Sequence, residues 1–403
     1  MSLHGPVPDP MISLVAALAA YPASLRALPA EICALRGALH RVLAAPVASA
    51  CDLPLFTQSA VDGYALRAAD AGDELTLIGE VPAGAPASRA ISPGTAMRIL
   101  TGGLLPQGAD TCARQEIVER HGDRIRIVRP LAEGADTRHR GEELKAGAPL
   151  AQAGQRLDAG LIAALAMAGV VEVSVRRAPR IAVLVTGDEL ARAGEALRPG
   201  QVHDANGPLV RHWFLERGHG EPDLRYVPDT PEAVSRALED ALASADLVIS
   251  TGGVSVGDRD YLPALAPRLG VEKVFWQVAQ KPGKPLWFGT RDGTGFLGIP
   301  GNPAAVLVCL AVHVEAMLAV LEGRAAPGWR HGVLAAAVKG DAHRERLVRA
   351  TLRYSDAGTV LLEALPRQDS HMLSNLASAD ALLWLPVRGG AFEAGEVVRW
   401  VPV

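Results

Sequence analysis

Between Arg180 and Gly323 short apolar runs alternate with stretches of helical periodicity. Ile181–Val185 and Leu247–Ser250 read as buried strands, and amphipathic segments follow each of them. Gly207 to Glu216 reads as a helix closed by Gly218, and Thr230-Pro231 opens another that runs to about Ser244. Asn302-Pro303 repeats that device ahead of a long apolar helix to Leu321. The pattern predicts βαβ units and a parallel sheet covered by helices, whose ligands bind at the carboxyl ends of the strands. The loops after Val185, Ser250 and Ile299 are therefore the places to look for chemistry.

The preceding segment is different. From roughly Val47 to Gly147, stretches such as Leu75–Ile78 and Arg124–Val128 are separated by Gly and Pro, which predicts strands and turns. Ala34 to Ala44 and Asp158 to Ala168 read as helices on either side, so the β-rich part is expected to be an insertion. After Pro327 strands return, with Arg346–Tyr354 and Thr359–Ala364 bracketing a hairpin loop at Ser355-Asp356-Ala357-Gly358. A small barrel or sandwich is expected there, and the fold class is multidomain α/β and β.

A chain of 403 residues is long enough for two to four domains, and 49% hydrophobic against 21% charged residues argues for packed cores. The net charge of -4 and an aromatic content of 4% supply neither the basic field nor the stacking surface that nucleic acid needs. Cys33, Cys51, Cys112 and Cys309 are widely spaced and form no Cys-x-x-Cys pair, as expected of free thiols in the cytoplasm. The apolar stretch Met11–Ala20 lacks a basic flank and is not expected to be an export signal. Ala304–Val312 is expected to be a buried helix rather than a membrane span, because His313 and Glu315 follow it.

The strand-end loops carry the candidate residues. Thr251-Gly252-Gly253-Val254-Ser255-Val256-Gly257-Asp258-Arg259-Asp260-Tyr261 has glycines that let a backbone approach an anion. Its acids suit either a hydrated Mg²⁺ beside phosphates, or an N-cap at Asp258 and a first-turn charge at Asp260. Thr186-Gly187-Asp188-Glu189 offers metal or hydroxyl ligands or plain turn chemistry, and Asp229 is a turn residue or a metal-side carboxylate. In Lys281-Pro282-Gly283-Lys284-Pro285 two ammonium groups sit on a stiff turn, suited to phosphate or another oxyanion or left solvated. Gly298-Ile299-Pro300-Gly301-Asn302-Pro303 ends a strand and begins a helix, where free amides favour an anion and capping alone accounts for Asn302 and Pro303. Asp62 in Ser59-Ala60-Val61-Asp62-Gly63-Tyr64-Ala65 and Thr101 in Arg98-Ile99-Leu100-Thr101-Gly102-Gly103 are unremarked by themselves: a turn acid and a strand-terminal hydroxyl. His203, His212, His313 and His371 lack metal-ligand spacing and are expected to be surface or satisfied core residues.

Together these motifs, in this order and over nearly the whole chain, resemble the molybdopterin molybdenumtransferases, the MoeA family that includes the C-terminal part of gephyrin. The resemblance begins at Leu35-Arg36-Gly37-Ala38-Leu39-His40-Arg41-Val42-Leu43-Ala44. It implies an elongated helical domain over 1–46 and 147–177, an inserted β-rich domain over 47–146, a molybdopterin-binding-like parallel α/β domain over 178–324 and a C-terminal β-barrel over 325–403. It also implies a cytoplasmic homodimer, its active cleft shared between subunits, that inserts molybdenum from molybdate into adenylylated molybdopterin with Mg²⁺ and releases AMP. Molybdoenzymes or other cofactor-biosynthesis proteins would be its partners, with no nucleic acid or membrane among them. The site residues carried over are Asp62, Thr101, Glu189, Asp229, Asp260, Lys281, Lys284, Pro300, Pro303 and Ser370, with Gly252 and Gly253 cradling substrate. Asp260, Asp229 and Glu189 are the metal ligands it implies. The motifs depart from the family's usual residues at Gln58, Val61, Gly103, Glu143, Ala305 and the Cys112-Ala113 pair. Two other functions share parts of the pattern: the adenylyltransferase of the preceding step, and a non-catalytic carrier or scaffold. The flanking β-rich segments count against the first and the retained acids against the second.

Overall fold

The computed structural model describes residues 10–82, 84–255, 257, 260–370, 372 and 375–403. The first helix, Leu14–Ser24, is capped by Ser13, whose hydroxyl accepts from the Ala16 amide at 3.1 Å. It buries Leu14, Ala17 and Tyr21 against the α/β core rather than forming a core of its own.

Ala34 to Ala44 is not the helix its composition suggests. Ala30–Ala34 pairs antiparallel with Glu172–Arg176, only Leu35–Gly37 makes a short 3₁₀ turn, and the amides of His40 and Leu43 donate to the carbonyls of Leu157 and Gln155. Backbone partners distant in sequence satisfy these groups, and that outweighs the modest helix propensity of Ala and Leu. The second expected helix forms over Ala159–Met167, with Asp158 accepting from the Leu161 amide at 2.8 Å. The β-rich segment builds a six-stranded sheet in the order Thr111–Arg114, Gly63–Leu66, Thr95–Ile99, Glu74–Glu80, Arg124–Ile127, Val118–His121. Alternate residues of its strands face two small cores, Tyr64 and Leu66 to one and Ala65, Met97 and Cys112 to the other.

The α/β sheet has the order Asp223–Val227, Ile181–Thr186, Leu247–Thr251, Thr294–Ile299, Trp287–Arg291, Glu272–Trp276. Its first four strands are parallel, but Trp287–Arg291 runs antiparallel to both neighbours, so the sheet is mixed rather than wholly parallel. The reason is local. Asp292 and Gly293 both have positive φ, 52° and 87°, and a two-residue turn of that kind can only join antiparallel strands. Period-2 alternation divides the strand side chains between two faces. Val183, Val185, Ile249 and Leu297 meet the helices Leu14–Ser24, Asn206–Glu216 and Pro303–Leu321, while Leu184, Val248 and Phe296 meet Pro231–Ser244 and Leu262–Arg268.

Pro303–Leu321 is, among the described residues, the one helix long and apolar enough to cross a membrane, and most of it is buried in this core. It widens to a π-helix over Leu310–Val314. At the C-terminal end of the chain, Glu345–Tyr354, Val360–Ala364, Arg330–Leu334, Val397–Pro402 and Ala381–Leu385 are hydrogen-bonded in that order, and pairing between the last and the first closes a barrel. The expected hairpin is present, with Ser355 donating to Thr359 and Gly358 to Ser355. Gln280–Lys281 pairs in parallel with Glu345–Arg346 and ties the α/β domain to the barrel.

Candidate functional site

The ends of Ile181–Thr186, Leu247–Thr251 and Thr294–Ile299 open onto a cleft of about 710 Å³. Glu189, Asp229 and Asp260 line it together with Gly252, Gly253 and Pro300. A second cavity of about 300 Å³ adjoins it and shares Pro285, Pro300 and Asn302; Lys281, Lys284 and Ser370 lie here. One site therefore has a carboxylate half and a lysine half.

Each half is built by its loops. Gly252 at φ 100° and Gly253 at φ 71° turn the backbone away from the strand, and a side chain at 252 would meet the Thr186 hydroxyl at 2.8 Å. The Asp260 carboxylate accepts from the Gly257 amide at 2.8 Å, so the same group that faces the cleft also closes its loop. The Asp188 carboxylate accepts from the Asp229 amide at 3.1 Å, which fixes one strand-end loop against the other and shows Asp188 in the turn role. Among the described residues no group of three His, Cys, Asp or Glu side chains converges closely enough to hold a metal alone. Glu189, Asp229 and Asp260 could between them give a hard cation only one or two carboxylates, so the rest of its shell would have to come from a bound ligand and water.

Asn302 departs from its expected part. Its side chain makes no cap; the amide donates to the Ser370 hydroxyl at 3.0 Å, bridging the helix start to a barrel loop. Pro303 begins the helix and lines neither cavity. The Ser370 loop is braced from within by Arg349, a fully buried guanidinium that donates to Asn375 Oδ1 at 2.8 Å and to the carbonyls of Arg367 and Asp369. Asp258 and His371 lie outside the described residues.

Asp62 and Thr101 do come together. The Thr101 amide and hydroxyl both donate to Asp62 Oδ1 at 2.8 Å, and these bonds hold the Asp62 carboxyl below its ordinary range. The pair sits in the turns just before Gly63–Leu66 and just after Thr95–Ile99, and lines neither cavity of its own chain. Asn206 is a lining residue that the motif reading passed over: it is buried, and its amide donates to the Gly301 carbonyl at 2.7 Å. The signal was Asp204-Ala205-Asn206-Gly207, where Asp204 accepts from the amides of Asn206 and Gly207 and from the Tyr226 hydroxyl. Arg344 and Gln368 are further lining residues with no local signature.

Glycine-turned loops, carboxylates and lysines at the carboxyl ends of an open α/β sheet are the features of a domain suited to small-molecule ligands. Comparison with known proteins gives the class a family. Residues 12–169 match the MoeA N-terminal region (domain I and II), 182–319 the probable molybdopterin binding domain and 331–403 the MoeA C-terminal region (domain IV). A molybdopterin molybdenumtransferase from a Nostoc species is 36% identical over 91% of this chain and 87% of its own length, and one from Haemophilus influenzae is 33% identical over 91% and 92%. A crystal structure of the Pyrococcus horikoshii molybdopterin biosynthesis moeA protein superposes with a TM-score of 0.81 at 28% identity, covering 98% of this chain and all of the other. The chain belongs to the MoeA family.

Proposed function

We propose that this chain completes the molybdenum cofactor by inserting molybdenum from molybdate into adenylylated molybdopterin, with release of AMP. The observation that carries the reading is the two-part cleft, carboxylates on one side and lysines on the other, in a chain that matches molybdopterin molybdenumtransferases along most of its length. Lys281 and Lys284 offset the charge of an oxyanion, and Asn302 and Ala305 at the start of the Pro303–Leu321 helix line the same cavity, where the helix dipole favours negative charge. Mg²⁺, held by Asp260, Asp229 or Glu189, would neutralise the phosphate bridge. No protein thiolate is needed, because the pterin dithiolene supplies the soft ligands for molybdenum. The four cysteines are unpaired, which agrees with a cytoplasmic protein.

The deciding measurement adds molybdate and Mg²⁺ to purified protein loaded with adenylylated molybdopterin and follows AMP and active cofactor. Molybdate-dependent AMP release is expected. Consumption of ATP with release of pyrophosphate would mark the adenylyltransferase instead, and retention of intact adenylylated pterin would mark a carrier.

A second reading concerns assembly. Asp62 and Thr101 form a prepared pair that faces neither cavity within one chain, which favours a homodimer whose clefts are completed by the partner's β-rich sheet.

A further inference from the structure

Three buried polar side chains form a line that ends beneath the lysine loop. Tyr21, His313 and Gln280 are each fully buried, on the Leu14–Ser24 helix, in the π-helical turn and in the strand that leads into Lys281. The Tyr21 hydroxyl lies 2.8 Å from His313 Nδ1, His313 Nε2 lies 2.9 Å from Gln280 Oε1, and Gln280 Nε2 donates to the Gly283 carbonyl at 3.2 Å. One proton arrangement satisfies the whole line: tyrosine donates to Nδ1, Nε2–H donates to glutamine, and glutamine donates to the loop. Burial lowers the His313 pKa to about 3, so the ring remains the neutral tautomer this requires. Burial likewise pushes the Tyr21 hydroxyl well above its ordinary range, which keeps its proton in place.

Such a line is expensive in a hydrophobic core, where unpaired polar groups cost free energy and apolar side chains of the same size would pack freely. Its far end is the carbonyl of Gly283, the residue just before Lys284, and Gly283 leaves no room above it, since a side chain there would approach Gln280 Nε2 to 2.5 Å. We propose that His313 is a positioning residue which, through Gln280, fixes the Lys281-Pro282-Gly283-Lys284 turn so that both lysines are set for an oxyanion, either molybdate or the phosphate bridge of the adenylylated pterin. The inference rests on the lysines binding substrate as described under Proposed function.

The test measures AMP release with kcat and KM separated, varying molybdate and adenylylated molybdopterin in turn, for His313→Leu, Gln280→Met, His313→Gln, Lys281→Ala and Lys284→Ala. His313→Leu and Gln280→Met should raise one KM about five- to tenfold, the range of one lost hydrogen bond, with kcat little changed. The KM that rises tells molybdate from phosphate. His313→Gln can accept from Tyr21 and donate to Gln280, and should restore the KM. General loss of structure would lower the active fraction without moving KM, so Gln280→Met keeps the test sharp if His313→Leu folds poorly. Unaltered KM values in folded His313→Leu and Gln280→Met, beside impaired lysine variants, overturn the positioning role. Unaltered kinetics in both lysine variants would instead remove the substrate-binding reading on which it rests.

Discussion

Asp260 has two functions on one carboxylate, facing the cleft and accepting from the Gly257 amide. Asp260→Asn keeps an oxygen for that amide and removes the charge, whereas Asp260→Ala removes both. If the charge is what matters, both variants should lose about 10²–10³ in the rate of AMP release. An asparagine variant with near-normal turnover at limiting Mg²⁺ would make the loop bond the residue's whole contribution. His203 and His212 are exposed and line neither cavity, so alanine at either should leave the rate and its shape against pH near neutrality unchanged. A lost pH limb in either variant would reveal an acid or base that the carboxylates and lysines do not account for.

Among the elements, the start of the α/β sheet is held by one carboxylate. Asp246 precedes the Leu247–Thr251 strand and accepts from both Arg177 and Arg180 and from the Arg180 amide that leads into Ile181–Thr186. Burial opposes its charge, but these bonds outweigh burial and bring its pKa down from 3.8 to about 2. Because the folded state binds fewer protons than the unfolded chain across that interval, the clamp stabilises fully above about pH 4 and fades as pH falls toward 2. Asp246→Asn should cost about 1–2 kcal/mol in urea unfolding at pH 7 and less at pH 3; an equal cost at both would mean that the clamp is not ionic. The Asp292-Gly293 turn sets the direction of Trp287–Arg291, and Gly293→Ala should cost about 1–2 kcal/mol because φ near 87° is strained for any side chain. An unchanged unfolding midpoint would show that the turn relaxes.

At the scale of the molecule, the two groups of candidate residues lie at different sheets. Glu189, Asp229, Asp260 and the lysines gather at one strand-end cleft, while Asp62 and Thr101 stand apart from it. If a homodimer completes each cleft, Asp62→Ala and Asp260→Ala subunits, each inactive alone, should regain activity when exchanged. The mixed dimer then has one intact cleft and one doubly damaged one, and yields up to about half the wild-type rate per dimer if the clefts are independent. Proven subunit exchange without recovered AMP release would put both groups in single-chain sites.

The strands at Ile181 and Leu247, the Thr230-Pro231 helix start, the helix from Asp158 and the hairpin at Ser355 were all legible in the sequence, because period and turn chemistry act over a few residues. The motif glycines, acids and lysines could be named for the same reason. Ala34 to Ala44 misled, since the backbone partners of Leu35, His40 and Leu43 lie more than one hundred residues away in the chain and no local pattern records them. The direction of Trp287–Arg291 was written in Asp292-Gly293 and passed over. Tertiary structure alone decided that Asn302 reaches Ser370, 68 residues on, that Asn206 holds Gly301, and that Tyr21 and His313, 292 residues apart, support the lysine loop. Sequence determines which groups each element can offer, and the order of strands in the sheet determines which of those groups meet, since contacts at strand ends depend on neighbours in space and not along the chain.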